Sequence, residues 1–296
     1  MPSRNETISL LKRYHLRPLK RLGQNFLIDD NIRDKIIGSV DPKRGDVIVE
    51  IGPGLAALTL ELALRAGRVI AVERDRGLYN ILLETIGAKA SNLELINDDI
   101  LKVDLSEFAP SGKIKLAGNL PYYITTPIFE YLIDNRRLIE RAVITIQREV
   151  ADRILAAPGG KDYGALSCFI QYYTRPQYLY TISRGCFYPK PEVDSSLILL
   201  DMLDSPAVEV KDEKLFFRII RKAFNQRRKT ISNSLASKAF GRVASKEDLA
   251  AALARARIDP SSRPETLSLQ SFAALTNIIK VKGDVPLLGT LQHKIQ

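Results

Sequence analysis

Between about residue 28 and residue 200 the chain alternates two hydrophobic rhythms: stretches with apolar residues every three or four positions, and short runs rich in Val, Ile and Leu. The first rhythm fits a helix with one buried stripe, and the second a strand buried on both faces. "DVIVEIG" (46–52) predicts a buried strand ending in glycine, and "LTLELALRAG" (58–67) a helix closed by Gly67. "RVIAVER" (68–74) predicts the next strand and "GLYNILLETIG" (77–87) the next helix. "LELINDD" (93–99), "KIKLAGN" (113–119) and "RAVITIQ" (141–147) read as further strands. Residues 176–202 supply two late strands around a Pro-rich turn, a hairpin expected at the sheet edge. Alternation of this kind specifies an α/β sheet.

Past about residue 205 the strand rhythm stops. Segments 212–240, 245–258 and 269–280 are helical patterns with caps or acidic first turns. The division expected is a basic N-terminal segment over 1–24, a sheet domain over 25–205 and a small helical domain over 206–296. In the first segment Ile8, Leu11 and Leu16 fit a short amphipathic helix running into "LGQNFL" (22–27). No long apolar core suits a secretory signal there. A mitochondrial presequence fits less well than a helix that belongs to the fold.

Charge sharpens this division. The whole chain carries 44 Lys and Arg against 34 Asp and Glu, and residues 211–296 alone hold 17 basic and 7 acidic residues. The first 210 residues therefore balance. A neutral body with a basic C-terminal region points to a polyanionic partner, nucleic acid first. No apolar stretch approaches a membrane span. Cys168 and Cys186 lack metal-type spacing, and no metal site is expected.

The strand ends carry the candidate chemistry. "VEIGPGLAALT" (49–59) is strand, glycine turn and helix, where Gly52 and Gly54 let a ligand approach a helix N-terminus. Glu73 follows Gly52 by 21 residues, the place of a carboxylate that accepts ribose hydroxyls. Asp98 and Asp99 end the third strand, where either could accept an adenine amine. No phosphate-binding loop is present, so the pocket suits an adenosine without pyrophosphate, and S-adenosylmethionine (SAM) is the candidate.

At the fourth strand end stands "NLPY" (119–122). The Asn119 side-chain oxygen and the Leu120 carbonyl could accept from an exocyclic amine and free its lone pair. Pro121 would fix that carbonyl, and Tyr122 would stack on a flipped base. Both histidines, His15 and His293, lie near the termini, so no histidine base is expected. Taken alone, each of these features is equally compatible with a packed turn or a solvated strand end.

In combination, "LGQNFL", "EIGPGLAALT", "NLPYYITTP", "FYPKPEVDSS" and "FNQRRKT" closely resemble the ribosomal RNA adenine N6-dimethyltransferases over about residues 8–280. The resemblance implies a seven-stranded SAM-dependent methyltransferase sheet, Rossmann-like, followed by a small all-helical domain. It implies dimethylation of two adjacent adenines near the 3′ end of small-subunit rRNA, on an immature small subunit, by a cytoplasmic monomer. Gln24, Asn25, Leu27, Gly52, Gly54, Glu73, Asp99 and Asn119 match the cofactor pocket. Asn119, Leu120, Pro121, Tyr122 and Phe187 match the target-adenine site, the two aromatics as a sandwich. Arg221, Lys222, Arg227, Arg228 and Lys229 match a basic helix that contacts rRNA phosphates, with Phe224 and Ile231 anchoring its opposite side. Ala56 departs from the family's frequent third glycine, with slightly tighter packing expected. Three readings compete: the sister family acting on large-subunit rRNA, a non-catalytic relative such as the mitochondrial transcription factors, and a nicotinamide oxidoreductase.

Overall fold

The computed structural model describes residues 3–18, 23–110, 112–120, 125–236 and 246–279. Contacts divide the chain into two compact units, one of residues 1–151 with 176–202 and the other of residues 152–175 with 203–296. Segment 152–175 thus belongs with the helices, at variance with a single cut near residue 205.

The first unit is organised by a seven-stranded sheet. Its strands are β2 (Val47–Ile51), β3 (Arg68–Val72), β4 (Leu93–Ile96), β5 (Ile114–Asn119), β6 (Ile139–Gln147), β7 (Thr174–Ile182) and β9 (Ser195–Met202). They lie in the order β4-β3-β2-β5-β6-β9-β7, so the late pair closes one edge as expected. The pairings from β4 to β6 are parallel, and β9 runs antiparallel to β6. Helices α2 (Asp30–Val40) and α3 (Thr59–Arg65) bury Ile36, Ile37, Val40 and Leu62 against Ile48 and Val69 of the sheet.

Register places the site. Ile51 pairs with Val72 and with Gly118, and Val72 pairs with Ile96. The carboxyl ends of four strands therefore come level, and Gly52, Glu73, Asn97 and Asn119 follow them at one edge. The chain leaves β2 toward β3 and β4, then returns to the other side of β2 as β5. That reversal opens the crevice in which open α/β sheets bind ligands.

Two features differ from expectation, while a short N-terminal helix forms where one was expected. β4 stops at Ile96, three residues early, because Asn97 turns its amide to the Glu73 carbonyl at 2.8 Å and the Asp99 carboxylate caps a 3-10 turn over Ile100–Lys102. The Pro-rich turn contains a short strand, β8 (Phe187–Tyr188), which pairs antiparallel with β1 (Phe26–Leu27) outside the main sheet. At the N-terminus α1 (Arg4–Arg13) is capped by Ser3, and Leu11 packs with Phe26, Leu55, Leu78 and Ile81, with Leu16 against them.

The second unit is held by aromatic side chains. α7 (Ala165–Tyr173) presents Phe169, Tyr172 and Tyr173 to Phe216 and Phe217 of α8 (Glu213–Phe224), with ring centroids 4.7–5.8 Å apart. The long pattern over 212–240 is broken. α8 ends at Phe224, a turn follows, and Thr230 caps α9 (Ile231–Leu235) by accepting from Asn233 N. α10 (Lys246–Arg255) and α11 (Leu269–Ile278) complete the unit. Among the described residues no helix is long and apolar enough to cross a membrane. Both cysteines are free thiols, Cys168 buried and Cys186 half-buried.

Candidate active site

The turn after β2 uses left-handed backbone at alternate residues: φ is 68° at Gly52, 59° at Gly54 and 63° at Ala56. A Cβ at Gly52 would meet nothing within 4 Å, so the positive φ itself is what demands glycine there. At Gly54 a Cβ would lie 3.2 Å from the Phe26 ring. Ala56 keeps the same left-handed conformation with a side chain, so its departure from glycine costs backbone strain of about 1–2 kcal/mol. The expectation of tighter packing alone omitted this term.

Two acids frame the crevice. Glu73 is buried, with Oε2 accepting from Gly54 N at 3.1 Å and Oε1 from Asp75 N at 2.8 Å. Burial pushes its carboxyl up to about 7 although both N–H groups oppose the shift. Asp75 in turn caps α4 (Arg76–Ile86) and accepts from Gln24 Nε2 at 3.2 Å, which ties the segment before β1 to the strand ends. Asp99 accepts from Leu101 N and pairs with Arg74 at 3.1 Å, while Asp98 accepts from Asp99 N. One cleft gathers Gly52, Gly54, Glu73 and Asp99 with Gln24, Asn25 and Asn119, and Asp98 and Arg74 also reach it.

An adjoining recess holds Leu27, Phe187 and Asn119. Leu27 and Phe187 are cross-strand partners in the β1–β8 ribbon, so that ribbon carries one residue matched to the cofactor and one matched to the target base. Asn119 donates through Nδ2 to the Asn25 carbonyl at 2.8 Å. Leu120 is buried, and its N–H donates to the Thr145 carbonyl at 3.0 Å. Pro121 and Tyr122 lie outside the described residues.

Two residues here escaped the reading of motifs. Gly118 precedes Asn119 because a Cβ would come 2.9 Å from the Ile51 carbonyl oxygen, so only glycine lets β2 and β5 end side by side. Glu50 sits in the recess, buried, with Oε2 unpartnered and the Thr59 hydroxyl close by but also without a well-formed hydrogen bond. Burial raises its carboxyl to about 7, with the nearby Glu73 adding to the rise and Thr59 opposing it. The signal available was a lone charge inside the apolar run "VIVEI".

In the second unit the basic residues do not share one helix. Arg221 and Lys222 occupy the last turn of α8, whereas Arg227, Arg228 and Lys229 are in the exposed turn that leads to α9. Thr230 starts a new helix and so ends the basic run. Phe224 and Ile231 are both buried.

The family model for ribosomal RNA adenine dimethylase matches residues 17–280. The chain belongs to that family. It is thus an rRNA adenine dimethyltransferase, an enzyme built on a SAM-dependent methyltransferase fold. A ribosomal RNA small subunit methyltransferase A from Moorella thermoacetica is 47% identical over 283 residues, covering 93% of this chain and 96% of the relative. Another from Alkaliphilus oremlandii is 43% identical, covering 95% and 98%. The dimethylase fold recurs in a dimethyladenosine transferase from Plasmodium falciparum, with a TM-score of 0.75 at 24% identity over 84% of this chain and 95% of that one. The 23S rRNA methyltransferase ErmE gives a TM-score of 0.67 at 25% identity over 86% and 99%.

Proposed function

We propose that this dimethyltransferase acts on two adjacent adenines in the 3′-terminal hairpin of small-subunit (16S) rRNA, on an immature small subunit in the cytoplasm, as a monomer. Supporting the choice of subunit are relatives at 43–47% identity named for the small subunit, against 25% for the large-subunit enzyme ErmE.

The observation that carries the site is the convergence of Gly52, Glu73, Asp99 and Asn119 on one cleft at the level strand ends. The donor set fits SAM. Each oxygen of Glu73 takes one backbone N–H, and an ionised carboxylate has about four lone-pair sites, so two ribose hydroxyls can still be accepted. Asp99 keeps acceptor capacity for an adenine amine on the same count. Buried carboxylates also favour a ligand with net positive charge, which returns them to their ionised form. Gln24, Asn25 and Leu27 would close the pocket from the segment around β1. Bound SAM supplies a methyl group activated on a sulfonium.

For the acceptor, Asn119 uses its amide nitrogen on the Asn25 carbonyl, which leaves Oδ1 as the acceptor for the target amine. The Leu120 carbonyl, directed by Pro121, would take the second N–H. Two such acceptors draw the nitrogen toward tetrahedral geometry and release its lone pair. Tyr122 and Phe187 would sandwich the adenine ring. No strong base is required, because positioning supplies most of the effect. Residues 206–296, with Arg221, Lys222, Arg227, Arg228 and Lys229, would hold rRNA phosphates, a contact with steep salt dependence.

The test is transfer of labelled methyl groups from SAM to ribosomal subunits of a strain lacking these modifications. Label in small-subunit RNA is expected. Label confined to the large subunit, or absent from both, would refute the assignment.

A further inference from the structure

The basic turn 225–230 is hydrogen-bonded to two other segments of its own unit. Arg227 Nη2 donates to the Lys161 carbonyl at 2.6 Å and to the Tyr163 carbonyl at 3.1 Å. Both belong to the loop 156–164 that joins α6 (Arg148–Leu155) to α7. That loop is fixed elsewhere too. Gly159, at a φ of 90° open only to glycine, donates to the Glu265 carbonyl at 2.7 Å. Tyr163 is fully buried, its ring edge-on to Phe224 at 5.8 Å and its hydroxyl 3.2 Å from Cys168 Sγ. On the other side Ile231 N donates to the Ser262 carbonyl at 2.7 Å. Three stretches far apart in sequence therefore form one hydrogen-bonded platform. It carries the exposed cations Lys161, Arg228, Lys229 and Arg263. Among the acids nearby, Asp259 is engaged by the Ser261 N–H and hydroxyl, Glu265 has Oε2 buried, and Asp162 is half-buried.

We propose that Arg227 is a brace, not a phosphate contact, and that the surface it builds extends RNA backbone binding to Lys161 on the loop 156–164. Both N–H groups of Nη2 are committed to backbone carbonyls, two of the five guanidinium donors, and they hold the side chain against the loop. What it does is hold the loop backbone from which the Lys161 ammonium projects. Lysine is a point charge that can meet a phosphate oxygen, whereas the long planar head of Arg227 brings Nη2 between the two carbonyls. This inference rests on the RNA-binding reading above and reassigns one of its residues.

The experiment is equilibrium binding of the full-length protein to small ribosomal subunits lacking the modification, over about 50–300 mM monovalent salt. Lys161→Ala should weaken binding several-fold and reduce the slope of log affinity against log salt by roughly 0.7–0.9, one phosphate contact. Arg227→Lys keeps the charge, yet should bind more weakly than wild type, since the shorter side chain leaves its ammonium short of the position Nη2 takes between the two carbonyls. Adding Lys161→Ala to Arg227→Ala should cost nothing further, while Lys161→Ala and Arg228→Ala should multiply. The proposal is overturned if Lys161→Ala leaves affinity and slope unchanged, if Arg227→Lys restores wild-type binding, or if the Arg227 and Lys161 effects multiply. Should Arg227→Ala fail to fold, Lys161→Ala still decides, because its exposed side chain supports no core. Wild-type protein that ignores small subunits altogether would refute the RNA-binding reading instead.

Discussion

The Asn119 amide donates one N–H to the Asn25 carbonyl, which orients the carboxamide, and its proposed contribution is the acceptor oxygen Oδ1 aimed at a substrate amine. Asn119→Ala should then abolish methyl transfer while leaving SAM affinity within about tenfold, roughly 1.4 kcal/mol, as titration calorimetry would report. A collapse of SAM affinity would make Asn119 a cofactor residue first. Ala56 gives an independent check on the turn. Ala56→Gly relieves a left-handed alanine and should raise stability by about 1 kcal/mol, or about 2 °C in Tm, partly offset by the looser unfolded chain. Glu50 sets a pH dependence. Its folded carboxyl titrates near 7 against an unfolded value near 4.5, so between those values the native state holds the extra proton. Stability from this group is therefore present at pH below about 4.5 and is lost as pH rises toward and past 7. Glu50→Gln mimics the protonated form, and should raise Tm at pH 8 while changing it little at pH 5. An equal loss at both pH values would contradict the assigned cause.

At the scale of elements, the buried strands were legible because both their faces are apolar, and β2, β3, β5 and β6 fall within two residues of the predicted limits. Glycine, Glu73 and Asn119 stood out as polar punctuation at their ends. Harder to read was whatever depends on partners distant in sequence. The β1–β8 ribbon joins two-residue strands 160 positions apart, too short for any periodicity to register. The helix break at 225–230 was hidden because apolar spacing continues through Phe224 and Ile231, both buried, on either side of a turn. Glu50 has no local pattern of its own, and its setting comes from the glycine turn folding over it. The α7–α8 contact was equally invisible, since it draws segment 152–175 out of the sheet domain. Phe216, fully buried against Tyr172 and Phe217, anchors that contact. Phe216→Ala should destabilise by about 3–5 kcal/mol, measured by denaturant unfolding. A cost below about 1 kcal/mol would show that the aromatic cluster is not what holds this unit together.

For the whole molecule, the two compact units have different electrostatic characters. The strand-end cleft is lined by Glu73, Asp98 and Asp99, which suits a cationic cofactor, and the helical unit carries the basic turn and its platform, which suits a polyanion. On the proposed reading, the acids that would hold SAM belong to one unit and the cations that would meet phosphate to the other. Nucleoside analysis reads out the proposed chemistry itself. Small subunits lacking the modification are incubated with the protein and SAM, their RNA is digested, and the nucleosides are identified by mass. The expected product is N6,N6-dimethyladenosine, two per subunit at completion, confined to the 3′-terminal fragment. Methylation of any other atom or base, or dimethyladenosine arising only in large-subunit RNA, would contradict it.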